Sequence, residues 1–242
     1  MACRVAVVKL GGSAITDKST PETVRWDVLE SASSQLARFA SGGGRLAVVH
    51  GGGSFGHYIV SDLLSRRGRL GPAEVSAVQR EMLLLAMAVL DGLTSKGVPA
   101  SLHAAHSMCT DERVCDLTPM VRDLEGGLVP LTYGDAVLTG RGGVVVSGDT
   151  IAALMASKVK ADCLIYVSDV EGVIGVDGKT MRRVSPRDLI ASLEGGGVDV
   201  TGGMRRKIAE AASAGVPNTR VVRWDRLLDA LSGADVGTLV VP

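Results

Sequence analysis

Aromatic residues are scarce: two Trp, three Tyr and two Phe make up 3% of 242 residues. That is too few for a row of stacking platforms along a single nucleic-acid strand. Excess charge of either sign is missing too, with 26 Lys and Arg against 26 Asp and Glu. No overall field therefore draws the chain to nucleic acid, although a local cationic cluster in a cleft stays open. No run of about 18 apolar residues exists, so no membrane span is expected. The opening "MACRVAVVKLGG" has too short an apolar run, cut off by Lys9, for a secretory signal. Cysteine is limited to Cys3, Cys109, Cys115 and Cys163, with no C-x-x-C pair and no framework spacing. Reduced thiols in a cytoplasmic protein are the expectation. The P-loop pattern G-x-x-x-x-G-K-[ST] is also absent.

What is present is an ordinary folded composition, 46% hydrophobic and 21% charged. The length allows one large α/β domain or two tightly packed lobes. Short β-branched runs predict strands at Arg4–Leu10, Leu46–His50, Val98–Leu102, Val129–Thr132, Val144–Val146, Cys163–Ser168, Arg220–Arg223 and Thr238–Val241. Helical spacing is clearest over Glu74–Lys96, where Val78, Met82, Leu85, Val89 and Leu93 recur at steps of three and four. Further helices are expected at Trp26–Ala40, Thr150–Lys158, Pro186–Leu193 and Met204–Ala214. This alternation predicts a mainly parallel sheet covered on both faces, a three-layer αβα sandwich.

In such sheets ligands collect beyond the carboxyl ends of the strands. Those ends read "VVKLGGS", "VVHGGGSFGH", "VVVSGDT" and "IYVSDVEGV", and another Gly-Gly opens a helix in "DVTGGMRRK". The second contains Gly51-x-Gly53-x-x-Gly56, the spacing of a dinucleotide fingerprint. That fingerprint needs a second strand ending in an acid about twenty residues on. Here that position falls in "RRGRLGPAE", where Glu74 begins a helix, so the dinucleotide reading fails. Glycine turns from several strands, with Lys9, Lys18 and Lys207 beside them, instead suit phosphoryl transfer, which needs positioning and positive charge. Asp149 also suits a helix N-cap, His50 is given no role, and His103 with His106 reads as structural rather than as a metal site.

Taken in order, "VVKLGGSAITDK", "VVHGGGSFGH", "VSGDTIA", "VSDVEGV" and "DVTGGMRRKI" resemble the motif set of the amino acid kinase family. "GGGSFGH" with "ITDK" is most similar to its isopentenyl phosphate kinase subgroup. The resemblance implies one domain over 1–142 and 143–242, the first lobe binding the acceptor and the second ATP with Mg²⁺. It implies that Lys9 with Gly11, Gly12 and Ser13 holds the terminal phosphates of ATP, and that Lys18 stabilises the transferring group. Gly52 and Gly53 would present N–H groups to the acceptor phosphate and the transferring phosphoryl. His57 would donate to the acceptor, isopentenyl phosphate, and Gly148 would contact it. Asp149 would orient the two ATP lysines, with Asp169, Gly203 and Lys207 on the nucleotide side. Spacing alone does not say which of Arg205, Arg206 and Lys207 faces inward; the motif match picks Lys207. No carboxylate pair calls for a protein-bound metal, and a homodimer is implied. Rival readings are a fosfomycin or other phosphonate kinase, a kinase of the same fold acting on glutamate, carbamate or UMP, and a non-catalytic nucleotide-binding protein.

Overall fold

The computed structural model describes residues 2–175, 177–188 and 202–242. Its strands are β1 (Val5–Leu10), β2 (Arg45–His50), β3 (Ala100–Leu102), β4 (Cys109–Asp111), β5 (Val114–Cys115), β6 (Val129–Tyr133), β7 (Asp135–Thr139), β8 (Gly142–Val146), β9 (Cys163–Ser168), β10 (Arg183–Val184), β11 (Asn218–Arg223) and β12 (Thr238–Val240). Helices are α1 (Gly12–Ile15), α2 (Trp26–Ser41), α3 (Gly53–Arg67), α4 (Pro72–Thr94), α5 (Ala105–Met108), α6 (Thr118–Glu125), α7 (Gly148–Lys158), α8 (Gly202–Ser213) and α9 (Leu227–Leu231). The helix expected over Pro186–Leu193 reaches outside the described residues.

Eight strands form one sheet in the order β10-β12-β11-β9-β1-β2-β6-β3. From β11 to β3 every pairing is parallel, and only the β11–β12 pair is antiparallel. Burial on both faces explains why β1 is an unbroken apolar run up to Lys9. Ala6, Val8 and Leu10 face a core shared with Val28, Leu29 and Leu36 of α2 and with Leu85 and Val89 of α4. Val7 faces the opposite core, with Met120 and Leu124 of α6, Ile151 and Met155 of α7 and Ile208 of α8. The period-two alternation therefore puts Lys9, at the end of β1, on the α7 face. The three-layer αβα sandwich is as expected.

Helix ends follow local chemistry. Pro72 takes the first turn of α4, where a missing N–H costs nothing, and the Glu74 carboxylate accepts the Gly71 N–H at 3.0 Å. Ser147 caps α7, its side chain accepting the Asp149 N–H at 3.2 Å.

Two features depart from the sequence reading. The strand expected at Val144–Val146 leaves the main sheet and forms a separate hairpin, β7–β8. All four cysteines are paired, as Cys3–Cys163 and Cys109–Cys115, against the expectation of reduced thiols. Tertiary register makes both pairs: Cys163 stands opposite Ala6 in the β1–β9 pairing, close to Cys3, and Cys109 lies opposite Cys115 in the β4–β5 hairpin. The thiol argument for a cytoplasmic location falls with that expectation. Among the described residues no helix is long and apolar enough to cross a membrane.

Leu85 is fully buried between α4 and the sheet. Leu85→Ala is expected to cost about 2–5 kcal/mol through lost burial and the cavity left behind. A urea-unfolding midpoint equal to that of the wild type would contradict this packing.

Candidate active site

The carboxyl ends of β1, β2, β6 and β9 open on one cleft of about 1110 Å³, and the residues expected to bind ATP or the acceptor line it. At its centre the Asp149 carboxylate sits in the first turn of α7, held there by the Ser147 cap. One carboxylate oxygen, Oδ1, meets Lys9 Nζ at 2.8 Å and Lys207 Nζ at 3.3 Å. Lys9 arrives from β1 and Lys207 from α8, so one acid joins three elements. Lys207 also lies over the Tyr166 ring, 5.4 Å from its centroid, while the Tyr166 hydroxyl donates to the Asp149 carbonyl at 3.2 Å.

The electrostatics follow from this packing. Burial alone would raise the Asp149 pKa, but the two ammonium groups overcome it and hold the carboxyl far below its usual range. Burial, with the charge of Lys9 and against the pull of Asp149, lowers Lys207 from 10.5 to about 8. Two ammonium groups on one carboxylate leave a net positive charge, which suits a polyanion.

Two glycine loops face one another beside this cluster. A Cβ on Gly12 would lie 2.1 Å from Gly53 N, and Gly53 has φ +49°, so bulk is excluded at both positions. Thr16 joins the loops: its hydroxyl donates to Gly12 O at 2.7 Å and accepts the Ser54 N–H at 2.9 Å. Gly11–Ile15 and Gly52–Ser54 therefore form one unit with backbone N–H groups at the starts of α1 and α3. That is a common anion-binding arrangement.

Lys18 and Asp169 meet across the cleft, Nζ to Oδ2 at 2.8 Å. Asp169 Oδ1 accepts from Ser13 Oγ at 3.3 Å and Ser168 Oγ at 3.2 Å. Burial would raise the Asp169 pKa, and the bond from Lys18 more than offsets it, leaving the carboxyl low. The Lys18 side chain is 65% exposed, so the pair is solvent-screened and open to exchange. His57 stands in the first turns of α3, facing the cleft. Partial desolvation of its ring, which still reaches solvent, then the charge of Lys9, lowers its pKa, with Asp149 opposing. Mostly neutral, it offers one N–H donor. Gly148 opens α7 and Gly203 lies in the first turn of α8, both at the cleft wall. Of the three basic residues in "MRRK", Lys207 reaches Asp149 and Arg206 lines the cleft.

Two of the other histidines are held by acids: His103 meets Asp123 at 2.8 Å, and His106 meets the buried Asp135 at 2.7 Å. No trio of His, Cys, Asp or Glu suited to a metal occurs among the described residues. Thr16 and Tyr166 were missed from sequence. Thr16 resembles any loop threonine, and Tyr166 any strand residue, until the fold brings their partners to them.

The sequence model of the amino acid kinase family matches residues 4–222. Isopentenyl phosphate kinase of Haloferax volcanii is 34% identical to the chain, with 98% of each covered. That of Methanocaldococcus jannaschii is 30% identical over 84% of this chain and 85% of its own length. A crystal structure of the Thermoplasma acidophilum isopentenyl phosphate kinase product complex superposes with a TM-score of 0.78 at 27% identity, covering 97% of this chain and 99% of the other.

Lys207 carries the sharpest electrostatic expectation. Its side-chain resonance, followed by NMR in the ligand-free protein, should titrate near about 8. Titration at the ordinary lysine value of 10.5 would contradict the burial beside Lys9.

Proposed function

The chain belongs to the amino acid kinase family, and from that premise we propose that it transfers the γ-phosphoryl group of ATP to isopentenyl phosphate, giving isopentenyl diphosphate and ADP. One observation carries the choice of acceptor. At the end of the cleft where Gly52, Gly53 and His57 stand, the wall is apolar, made by Val60, Val78, Met82, Val145 and Val146. A phosphate grip beside a hydrocarbon wall suits a small alkyl phosphate. An amino-acid acceptor would want a free carboxylate there. Asp135, which lines the same region, is already engaged by His106 and by the Ala136 N–H.

In this reading the loop Gly11–Ser13, with Lys9, Gly203 and Lys207, holds the ATP phosphates, and Asp169 lies on the nucleotide side. Gly52, Gly148 and His57 hold the acceptor phosphate, and Gly53 donates to the group in transit. An acceptor oxygen attacks the γ-phosphorus, the bond to the β–γ bridging oxygen breaks, and ADP leaves with that electron pair. The acceptor needs no strong base, because the second pKa of a phosphate monoester is about 6. Its difficulty is repulsion from the incoming polyphosphate, which the lysines and backbone donors offset. Lys18 leaves Asp169 for the transferring group, where charge spreads over the equatorial oxygens.

Mg²⁺ would neutralise the β- and γ-oxygens, held by those oxygens and by water. Asp149 is committed to Lys9 and Lys207, whereas Asp169 is freed when Lys18 moves to the transferring group. The resemblance also supports a homodimer, and α4 carries exposed Leu83, Leu84 and Met87 on its outer surface.

An ADP-release assay across isopentenyl phosphate, dimethylallyl phosphate, fosfomycin, UMP and glutamate tests the acceptor. Turnover of isopentenyl phosphate at the highest kcat/KM is expected; turnover of only UMP or glutamate would sink the proposal, and preference for fosfomycin would move it to a phosphonate kinase. Lys18→Ala should lower kcat by about a hundredfold or more while sparing ATP affinity. His57→Ala should raise the acceptor KM roughly tenfold. A normal kcat in the first variant, or unchanged acceptor kinetics in the second, would remove that residue from its role.

A further inference from the structure

His50, the last residue of β2, is fully buried, and its side chain makes a single hydrogen bond. Nδ1 donates to the carbonyl of the next residue, Gly51, at 3.1 Å. Nε2 has no partner among the described residues, and the ring stacks on Tyr133 at 5.3 Å between centroids. A valine or leucine would fill the end of this apolar strand without leaving a polar atom unpaired. The imidazole is therefore poorly explained as packing and better explained by the one bond it makes.

We propose that His50 is a positioning residue, which turns the Gly51–Gly52 peptide so that the Gly52 N–H faces the phosphate acceptor. The geometry is direct. No cis peptide occurs among the described residues, and in a trans peptide the C=O and the following N–H point in opposite directions. Holding Gly51 O against the buried ring sends the Gly52 N–H the other way, toward the cleft that Gly52 lines. That N–H has no protein acceptor among the described residues. Gly52 also leads directly into α3 and could otherwise rotate, since glycine gives its peptide little steric restraint.

The His50 backbone reinforces the assignment. Its carbonyl accepts the Gly134 N–H at 3.0 Å, and a Cβ on Gly148 would come within 2.7 Å of that oxygen. One residue thus abuts three glycines of the acceptor end. Burial, aided by the charge of Lys9 and opposed by the bond to Gly51, holds the ring pKa down at about 4. At neutral pH the ring has one N–H, and the Gly51 carbonyl requires it to be on Nδ1.

This inference rests on the kinase reading, and three variants test it. An Asn at position 50 places an amide nitrogen near the Nδ1 position; Gln reaches instead toward Nε2, and Leu has no donor. His50→Leu and His50→Gln should raise the acceptor KM roughly tenfold or more with an unchanged KM for ATP, and His50→Asn should recover most of that loss. The urea-unfolding midpoint of His50→Leu should not fall. A folded His50→Leu protein with the wild-type acceptor KM would overturn the inference, as would His50→Asn impaired as much as His50→Leu. Should the Leu variant not fold, the contrast between Asn and Gln decides. If the wild type turns over no small phosphate, the kinase reading fails and the amide resonance of Gly52 decides this inference. Titration with inorganic phosphate should shift that resonance in the wild type and not in His50→Gln, and an equal shift in both would refute it.

Discussion

One carboxylate oxygen organises this molecule's candidate site. Asp149 Oδ1 binds both Lys9 and Lys207, and these three residues belong to α7, β1 and α8. Breaking such a buried network is costly, on the order of 3–5 kcal/mol, because the remaining charges stay desolvated. The network also leaves positive charge in excess where the glycine loops converge. In the proposed reading, stability and anion binding thus share one interaction. The strand alternation that turns Lys9 toward α7, the Ser147 cap that fixes the first turn of α7 and the Tyr166 ring beneath Lys207 all serve that contact.

Around this centre the proposed function assigns two kinds of anion grip. One is rigid. Gly12 and Gly53 approach too closely for any side chain, and Thr16 ties their loops together. The other is loose, the exposed pair of Lys18 with Asp169 at the edge of the cleft. A rigid cradle suits phosphates that must be aligned before reaction, and a solvent-screened lysine suits a group whose charge appears only during transfer. In the proposed reading, the apolar wall of Val78 and Met82 then sets the character of the acceptor.

Much of this was legible in the sequence, for physical reasons. Buried parallel strands are continuous apolar runs, and their glycine-rich ends mark where backbone approaches a ligand. The main strands, the cleft and Lys9 therefore announced themselves, whereas Lys18 and Lys207 were picked out only by the resemblance to the family's motifs. What stayed hidden depends on partners distant in the chain. β7 starts with a buried aspartate, Asp135, that His106 must balance, so it does not read as a strand. Cys3 and Cys163 lie 160 residues apart and meet only through the register of β1 and β9. Lys18 and Asp169 are each unremarkable alone, and only the folded cleft pairs them. His50 looks like a strand end until its ring is seen to hold the Gly51 carbonyl.

The central claim is that the carboxylate of Asp149 makes the phosphate site by holding two lysines in place. Asp149→Asn keeps the size of the side chain and removes its charge. With folding checked by circular dichroism, measuring kcat with saturating ATP and acceptor tests the claim most directly. The account predicts a loss of about a hundredfold or more, as for other preorganised charges around a reacting centre. A folded Asp149→Asn protein turning over at the wild-type rate would contradict it.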